Sequence, residues 1–415
     1  MQAREIALVG EAAYQRRILV HEFVTAFNTM EKNSPIELHS VPKKTILPSY
    51  IEGALAVNQA IRVVLDNAAY DSHAQTETVF IFNGIQSSFL INYLSSTLRA
   101  HPNLSVQQLI AFESFHASTD NQFNLQQLIH LLPAILSSTN YTPYYFYIGN
   151  NHKNAQYEAF PYYIITRDGV LALSYNLDHG LFLNDNTMKN FFVNHFNRTK
   201  AIALPLLDHL NTPQKNLLHY LSMCPEKNAT VFALGGQPCF APVLSKEIYL
   251  KYCYPSILSS LQLDFSLFNA YFQNVEAIYS NANGLYTYFT LDGLQNFLST
   301  GRLSEFPTDY YAPLELEDRK RIVADFLKLS RQKAITPFLL QDSIPYSPYL
   351  HISATSAKSI SVVHSHPSHG FISLTISEGS IASAIYDFLS TFQSSDFVLD
   401  TSHSIQQIER VLNSL

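Results

Sequence analysis

Roughly the first 150 residues alternate short apolar runs with longer stretches of helical period, and no other feature constrains the chain as strongly. Thr78-Val79-Phe80-Ile81-Phe82 is almost wholly apolar and bounded by polar turns, which suits a strand buried on both faces. Tyr144 to Ile148 reads the same way, and Ile36 to His39 as a shorter strand. Between them lie stretches with one apolar face. Val57, Ile61, Val64 and Leu65 mark a helix from about Tyr50 to Ala69, and Leu125, Leu128, Ile129, Leu132 and Ile135 mark another from Asn124 to Leu136. A helix is also expected from Ser87 to Arg99, and a long one from Ala13 to Met30. Strands alternating with helices imply a parallel sheet with helices on its faces.

The pattern then changes. Pro161 to Thr166, Arg167-Asp168-Gly169 and Val170 to Ser174 read as a hairpin, because Asp-Gly suits the positive φ of a tight turn. A second turn at Asp178-His179-Gly180 leads into Leu181-Phe182-Leu183 and makes a three-stranded meander. Asp168 and His179 take turn positions there and are read as turn residues, not as an acid/base pair. Helices are expected from Thr187 to Arg198 and from Thr212-Pro213 onward, and a strand from Thr230 to Leu234. Further on, an amphipathic helix from Glu315 to Leu329 precedes three strands at Tyr349–Ser353, Ile360–His364 and Phe371–Ile376 and two periodic helices. The fold class expected is mixed α/β and α+β. It combines an N-terminal βαβ-type three-layer unit (1–155), a middle antiparallel meander with helices (156–255) and a C-terminal α+β domain with a small antiparallel sheet (256–415).

Composition excludes several function classes. The chain has 415 residues, 47% hydrophobic and only 14% charged, so intrinsic disorder is excluded. A net charge of −7 disfavours nucleic acid as a direct partner. The basic run Arg319-Lys320-Arg321 alternates with Glu317, Asp318 and Asp325 and reads as a solvated helix face. Only 13 glycines occur and neither GxGxxG nor GxxxxGK[ST] is present, so a nucleotide held by a glycine loop is not expected. A helix-turn-helix is rejected too, since its two helix candidates, Leu104–Phe112 and Asn124–Leu132, stand too far apart. No membrane span and no apolar leader is read, and three sparse cysteines suit a reducing compartment, so a cytoplasmic location is expected.

Ligands of parallel sheets bind beyond the carboxyl ends of the strands. That rule selects three loops, and within them His39, Ser40, Asn83, Gly84, Ser87, Ser88, Asn150, His152 and Lys153 as candidate ligand-binding residues. Ser87 and Ser88 precede a helix and serve equally well as its cap. Cys239 follows Gly235-Gly236-Gln237-Pro238, but Phe240-Ala241-Pro242 supplies no nucleophile elbow, so it is read as a structural thiol.

Val363-His364-Ser365-His366-Pro367 is the most chemical-looking segment. It resembles the HxHP core of the JAB1/MPN/JAMM metallopeptidases. That resemblance implies zinc held by His364 and His366, with Thr375 and Glu378 read in the places of a serine and an aspartate ligand, and Glu315 or Glu317 as the nearest upstream glutamates. Geometry adds that residues i and i+2 of a strand share a face, and that His369 follows in the loop.

Three functions follow. The first is a non-catalytic, cytoplasmic ligand-binding or sensory protein with an unknown small molecule, no cofactor and scope for a protein partner. The second is a zinc-dependent hydrolase using His364, His366 and Glu378. The third is an enzyme with His39 or His152 as acid/base.

Overall fold

The computed structural model describes residues 10–30, 44–73, 76–83, 87–114, 122–148, 159–210, 215, 230–260, 269–270, 272–273, 276, 284–341, 346–366 and 370–414. The chain forms two compact units, one of residues 29–207 and one of residues 1–28 with 208–415. Both are mixed α/β. The helices are α1 (Glu11–Met30), α2 (Ala54–Ser72), α3 (Ser88–Ala100), α4 (Gln122–Ile135), α5 (Asn186–Lys200), α6 (Lys246–Tyr252), α7 (Pro255–Ser260), α8 (Leu291–Thr300), α9 (Leu316–Arg331), α10 (Gly379–Phe392) and α11 (Thr401–Asn413).

In the 29–207 unit one sheet runs in the order β1-β7-β6-β5-β2-β3-β4-β8, with β8 the short outer strand Leu204–Pro205. Its parallel centre is β2 (Glu77–Phe82), β3 (Leu104–Glu113) and β4 (Tyr141–Ile148). The meander β5 (Tyr162–Ile165), β6 (Val170–Leu173) and β7 (His179–Leu183) joins antiparallel on β2 and ends on β1 (Tyr50–Glu52). The meander therefore extends the first sheet, and no division falls at residue 155. Leu104–Phe112, taken as a helix candidate above, is the strand β3. It is buried along most of its length between two parallel neighbours, and that burial outweighs its helix-compatible composition. The start of the helix expected from Tyr50 is the strand β1, with α2 beginning after Gly53.

The second unit also holds one sheet, in the order β12-β11-β10-β13-β14-β15-β9, with β9 the short strand Leu207–His209. Here β10 (Val231–Gly235), β11 (Leu285–Phe289) and β12 (Ile335–Leu339) are parallel, while β13 (Leu350–Ser356), β14 (Ser359–His366) and β15 (Gly370–Ile376) form an antiparallel meander on β10. The C-terminal sheet is thus larger than the small antiparallel one expected, and it includes residues upstream of 256. Val231, Ala233, Leu285, Phe289, Ile335 and Leu339 line one face, with α8, α9 and α11 packed over it through Leu294, Phe297, Val323, Phe326 and Ile408. On the other face the Tyr288 hydroxyl donates to the Leu389 carbonyl of α10, and Phe232 meets Tyr386 ring to ring.

Candidate metal centre

In the second unit the carboxyl ends of β10, β11 and β12 lie at one edge of the sheet, and the start of the antiparallel β13 lies beside them. Three segments converge there. The first is the turn after β10. Gly236 offers its carbonyl to the Thr290 N–H (3.2 Å) and hydroxyl (2.9 Å). Thr290 in turn caps α8 by accepting from Gly293 N–H at 3.0 Å. The fit is so close that a Cβ on Gly293 would stand 1.8 Å from the Gly236 oxygen. Three residues later Cys239 is buried, with its N–H donating to the Thr287 hydroxyl at 3.2 Å.

The second segment follows α8. The Gln237 side chain accepts from Ser304 N–H (3.0 Å) and donates to the Arg302 carbonyl (2.9 Å). That two-point clamp sets the backbone directly before Glu305. The third is β13, where His351 pairs with Gly235 across the ladder. A Cβ on Gly235 would come 2.8 Å from His351 Nδ1, so only glycine leaves the imidazole its place.

Cys239, Glu305 and His351 each present one ligand atom, and the three atoms lie within 4.8 Å of one another. His351 is 4% exposed, and its Nδ1 is buried without a hydrogen-bond partner. That nitrogen stands 3.5 Å from a Glu305 oxygen, close but not aligned as a hydrogen bond. A buried polar atom left unpaired costs stability unless something else meets it. The 3.5 Å separation is informative, because nitrogen and oxygen ligands about 2.0–2.1 Å from a tetrahedral zinc lie roughly 3.3–3.4 Å apart.

Of the ligand-binding candidates read from sequence, those described do not belong to this cluster. His39, Ser40, Gly84, Asn150, His152 and Lys153 lie outside the described residues. Ser87 caps α3, accepting from Leu90 N–H at 3.0 Å, and Ser88 is the first residue of that helix. Asn83 has φ 58°, and its carbonyl accepts from the buried Gln108 side chain at 2.8 Å. Ser87 thus serves the backbone of its helix, and the Asn83 contact is made by its backbone carbonyl.

The HxHP segment lies on β14, and the side chain of His366 lies outside the described residues. His364 is buried with its ring centroid 5.7 Å from that of Phe27. The register pairs Thr375 with Ser361, which places Thr375 on the face opposite His364. The Glu378 carboxylate caps α10, accepting from Ile381 N–H (2.9 Å) and the Ser380 hydroxyl (2.5 Å). Thr375 and Glu378 also stand one residue past the spacing of the metallopeptidase motif, whose places fall on Leu374 and Ser377. Glu315 forms an ion pair with Lys251. Among the described residues, the three-ligand cluster is Cys239, Glu305 and His351, on the face of the sheet opposite His364. Cys239, read above as a structural thiol, both packs in the core and faces this cluster.

No protein-family model matches the chain, and none of the curated proteins searched matches it either. Among solved structures, phosphatidylserine synthase from Haemophilus influenzae Rd KW20 aligns over 95% of this chain and 96% of that chain, with 11% identity and a TM-score of 0.27. A superposition this loose carries no argument about fold or activity.

Proposed function

We propose that the second unit is a mononuclear metal centre of the zinc class, with Cys239, Glu305 and His351 as ligands and a fourth position taken by water. The buried, unpaired Nδ1 of His351 beside Glu305 and Cys239 carries this reading. A thiolate, an imidazole and a carboxylate are the ligand types that zinc prefers, and three protein ligands rather than four are the mark of a catalytic site. Metal-assisted hydrolysis is the matching chemistry: bound zinc lowers the pKa of its water to about 7 and polarises a substrate oxygen. The zinc hydrolase considered from sequence is thereby moved from His364, His366 and Glu378 to this edge. A reducing, cytoplasmic setting belongs to the proposal, since the Cys239 ligand must stay a thiolate. Elemental analysis of full-length protein purified without chelators tests it. About one equivalent of zinc is expected, falling to background in Cys239→Ala and His351→Ala. Cobalt substitution should add a thiolate charge-transfer band that Cys239→Ser abolishes. Metal well below one equivalent, or unchanged in both variants, would overturn it.

A second reading, small-molecule binding without catalysis, is favoured by a cavity of about 380 Å³ in the 29–207 unit. Its size lies within the range of small-ligand sites. A small molecule is the partner proposed there, and neither nucleic acid nor a membrane is.

A further inference from the structure

The cavity opens where the start of β2, the turn between β5 and β6, and α5 meet. Phe80 and Val193 give it an apolar wall, and Glu77, Thr166, Arg167 and Lys189 give it polar groups. Glu77 is 7% exposed and Thr166 5%. The Glu77 carboxylate accepts from the Arg167 N–H at 3.2 Å. A carboxylate has about four acceptor positions, and no other donor reaches this one among the described residues. The Thr166 hydroxyl likewise makes no hydrogen bond there among the described residues. Burial, aided by the charges of Asp71 and Asp168, holds the Glu77 carboxyl above its ordinary range, against the pull of the Arg167 amide.

The neighbouring acids are already matched. Asp71 and Asp168 share the Lys44 ammonium at 2.6 and 2.8 Å. Glu77 therefore stands as the one cavity carboxylate whose remaining acceptors face the lining, while two cations stand nearby. Lys189 donates to the Arg167 carbonyl at 3.1 Å, which ties α5 to the turn and keeps the ammonium at the wall. Arg167 is exposed and forms no ion pair among the described residues.

The geometry points to a site for a small zwitterion, with its ammonium held by Glu77 and Thr166 and its carboxylate by Lys189 and Arg167 at the rim. This rests on the small-molecule reading of the cavity. An ammonium supplies the donors Glu77 lacks, and each hydrogen bond to a charged group is stronger than one between neutral groups. The apolar wall suits a short aliphatic or aromatic body between the two charged ends.

Full-length protein titrated with 4-aminobutanoate, butylamine and butanoate, followed by amide chemical shifts, tests the assignment. The zwitterion should bind tightest, butylamine about tenfold more weakly and butanoate weaker again. Glu77→Gln should weaken both amines by about tenfold or more. Lys189→Met should reduce the zwitterion to the level of butylamine and leave butylamine unchanged. The Lys189 side chain is partly solvated, so this variant keeps the test decisive if Glu77→Gln fails to fold. Butanoate binding as tightly as the zwitterion, or amines indifferent to both variants, overturns the zwitterion assignment alone. If none of the three probes and no member of a neutral fragment set shifts a resonance of the cavity, the small-molecule reading falls with it.

Discussion

The two units share a plan, a parallel trio of strands continued by antiparallel ones, yet they treat polar groups at the carboxyl edge of the trio differently. In the 29–207 unit the groups at Asn124, Gln108 and Ser87, among the described residues, are paired. Asn124 brackets Glu113, accepting from its N–H (2.9 Å) and donating to its carbonyl (3.0 Å), Gln108 meets Asn83 and Tyr141, and Ser87 closes a helix start. In the other unit Gln237 is paired in the same way, but His351 is left with an unpaired nitrogen facing a carboxylate and a thiol. A satisfied buried group is scaffold. An unsatisfied one beside a carboxylate and a thiol, at a position where the facing residue is glycine, is the observation on which the proposed metal centre rests.

The contrast can be broken most forcefully with metal. Zinc at about 100 times its dissociation constant should stabilise the wild-type protein by about 2.7 kcal/mol and leave Cys239→Ala and His351→Ala unmoved, as thermal denaturation would show. Next come two apolar replacements of similar shape, compared without metal by urea titration. Asn124→Leu should cost about 2–3 kcal/mol, because the Glu113 N–H and carbonyl both lose their hydrogen bond to this side chain. His351→Leu should be neutral or stabilising, because it removes a polar atom that had none. Equal losses in the two would mean that the two edges do not differ in how their polar groups are satisfied. Gly235→Ala should lower zinc affinity about tenfold in a competition titration, since the new methyl group would stand 2.8 Å from His351 Nδ1 and 2.9 Å from the Gln237 carbonyl oxygen and so shift both the imidazole and the turn that carries Cys239. Ser87→Ala should cost about 1 kcal/mol and change zinc binding not at all.

The smallest effect concerns pH. Burial, and then the neighbouring His73, hold the His101 imidazole below its ordinary range. Below a pH of about 6.5 the unfolded chain takes up that proton more readily than the folded one, so stability falls as pH drops through this range. His101→Gln should flatten that part of the stability profile.

Much of the fold was legible because local chemistry and burial agree. Asp168-Gly169 marks the β5–β6 hairpin, and the helical apolar period of the segments that became α9, α10 and α11 coincides with their buried faces. The failures occur where tertiary context decides. The apolar run of β3 fits a buried helix as well as a buried strand. β11 and β12 passed unread, and in β12 the cause is Pro337, which argues against a strand anywhere but at an edge. Without those two strands the parallel edge of the second unit cannot be drawn from sequence, and the rule that ligands gather at carboxyl ends points to the first sheet alone. Nothing local joins Cys239, Glu305 and His351. The available signal was the Gly235-Gly236-Gln237-Pro238 turn closing an apolar strand, directly before a cysteine.

Pro337 has one more consequence. β12 is the outermost strand of its sheet, and an uncovered outer strand invites a strand from another molecule. Its centre lacks one amide hydrogen at Pro337, and its far end is occupied by Phe397 to Leu399, with Leu399 N–H bonded to the Leu339 carbonyl at 2.8 Å and Gln341 N–H to Phe397 at 3.0 Å. Pro337 and the Phe397–Leu399 segment together leave an incoming strand fewer hydrogen-bonding positions on that border, which blunts it as a template for edge-to-edge association.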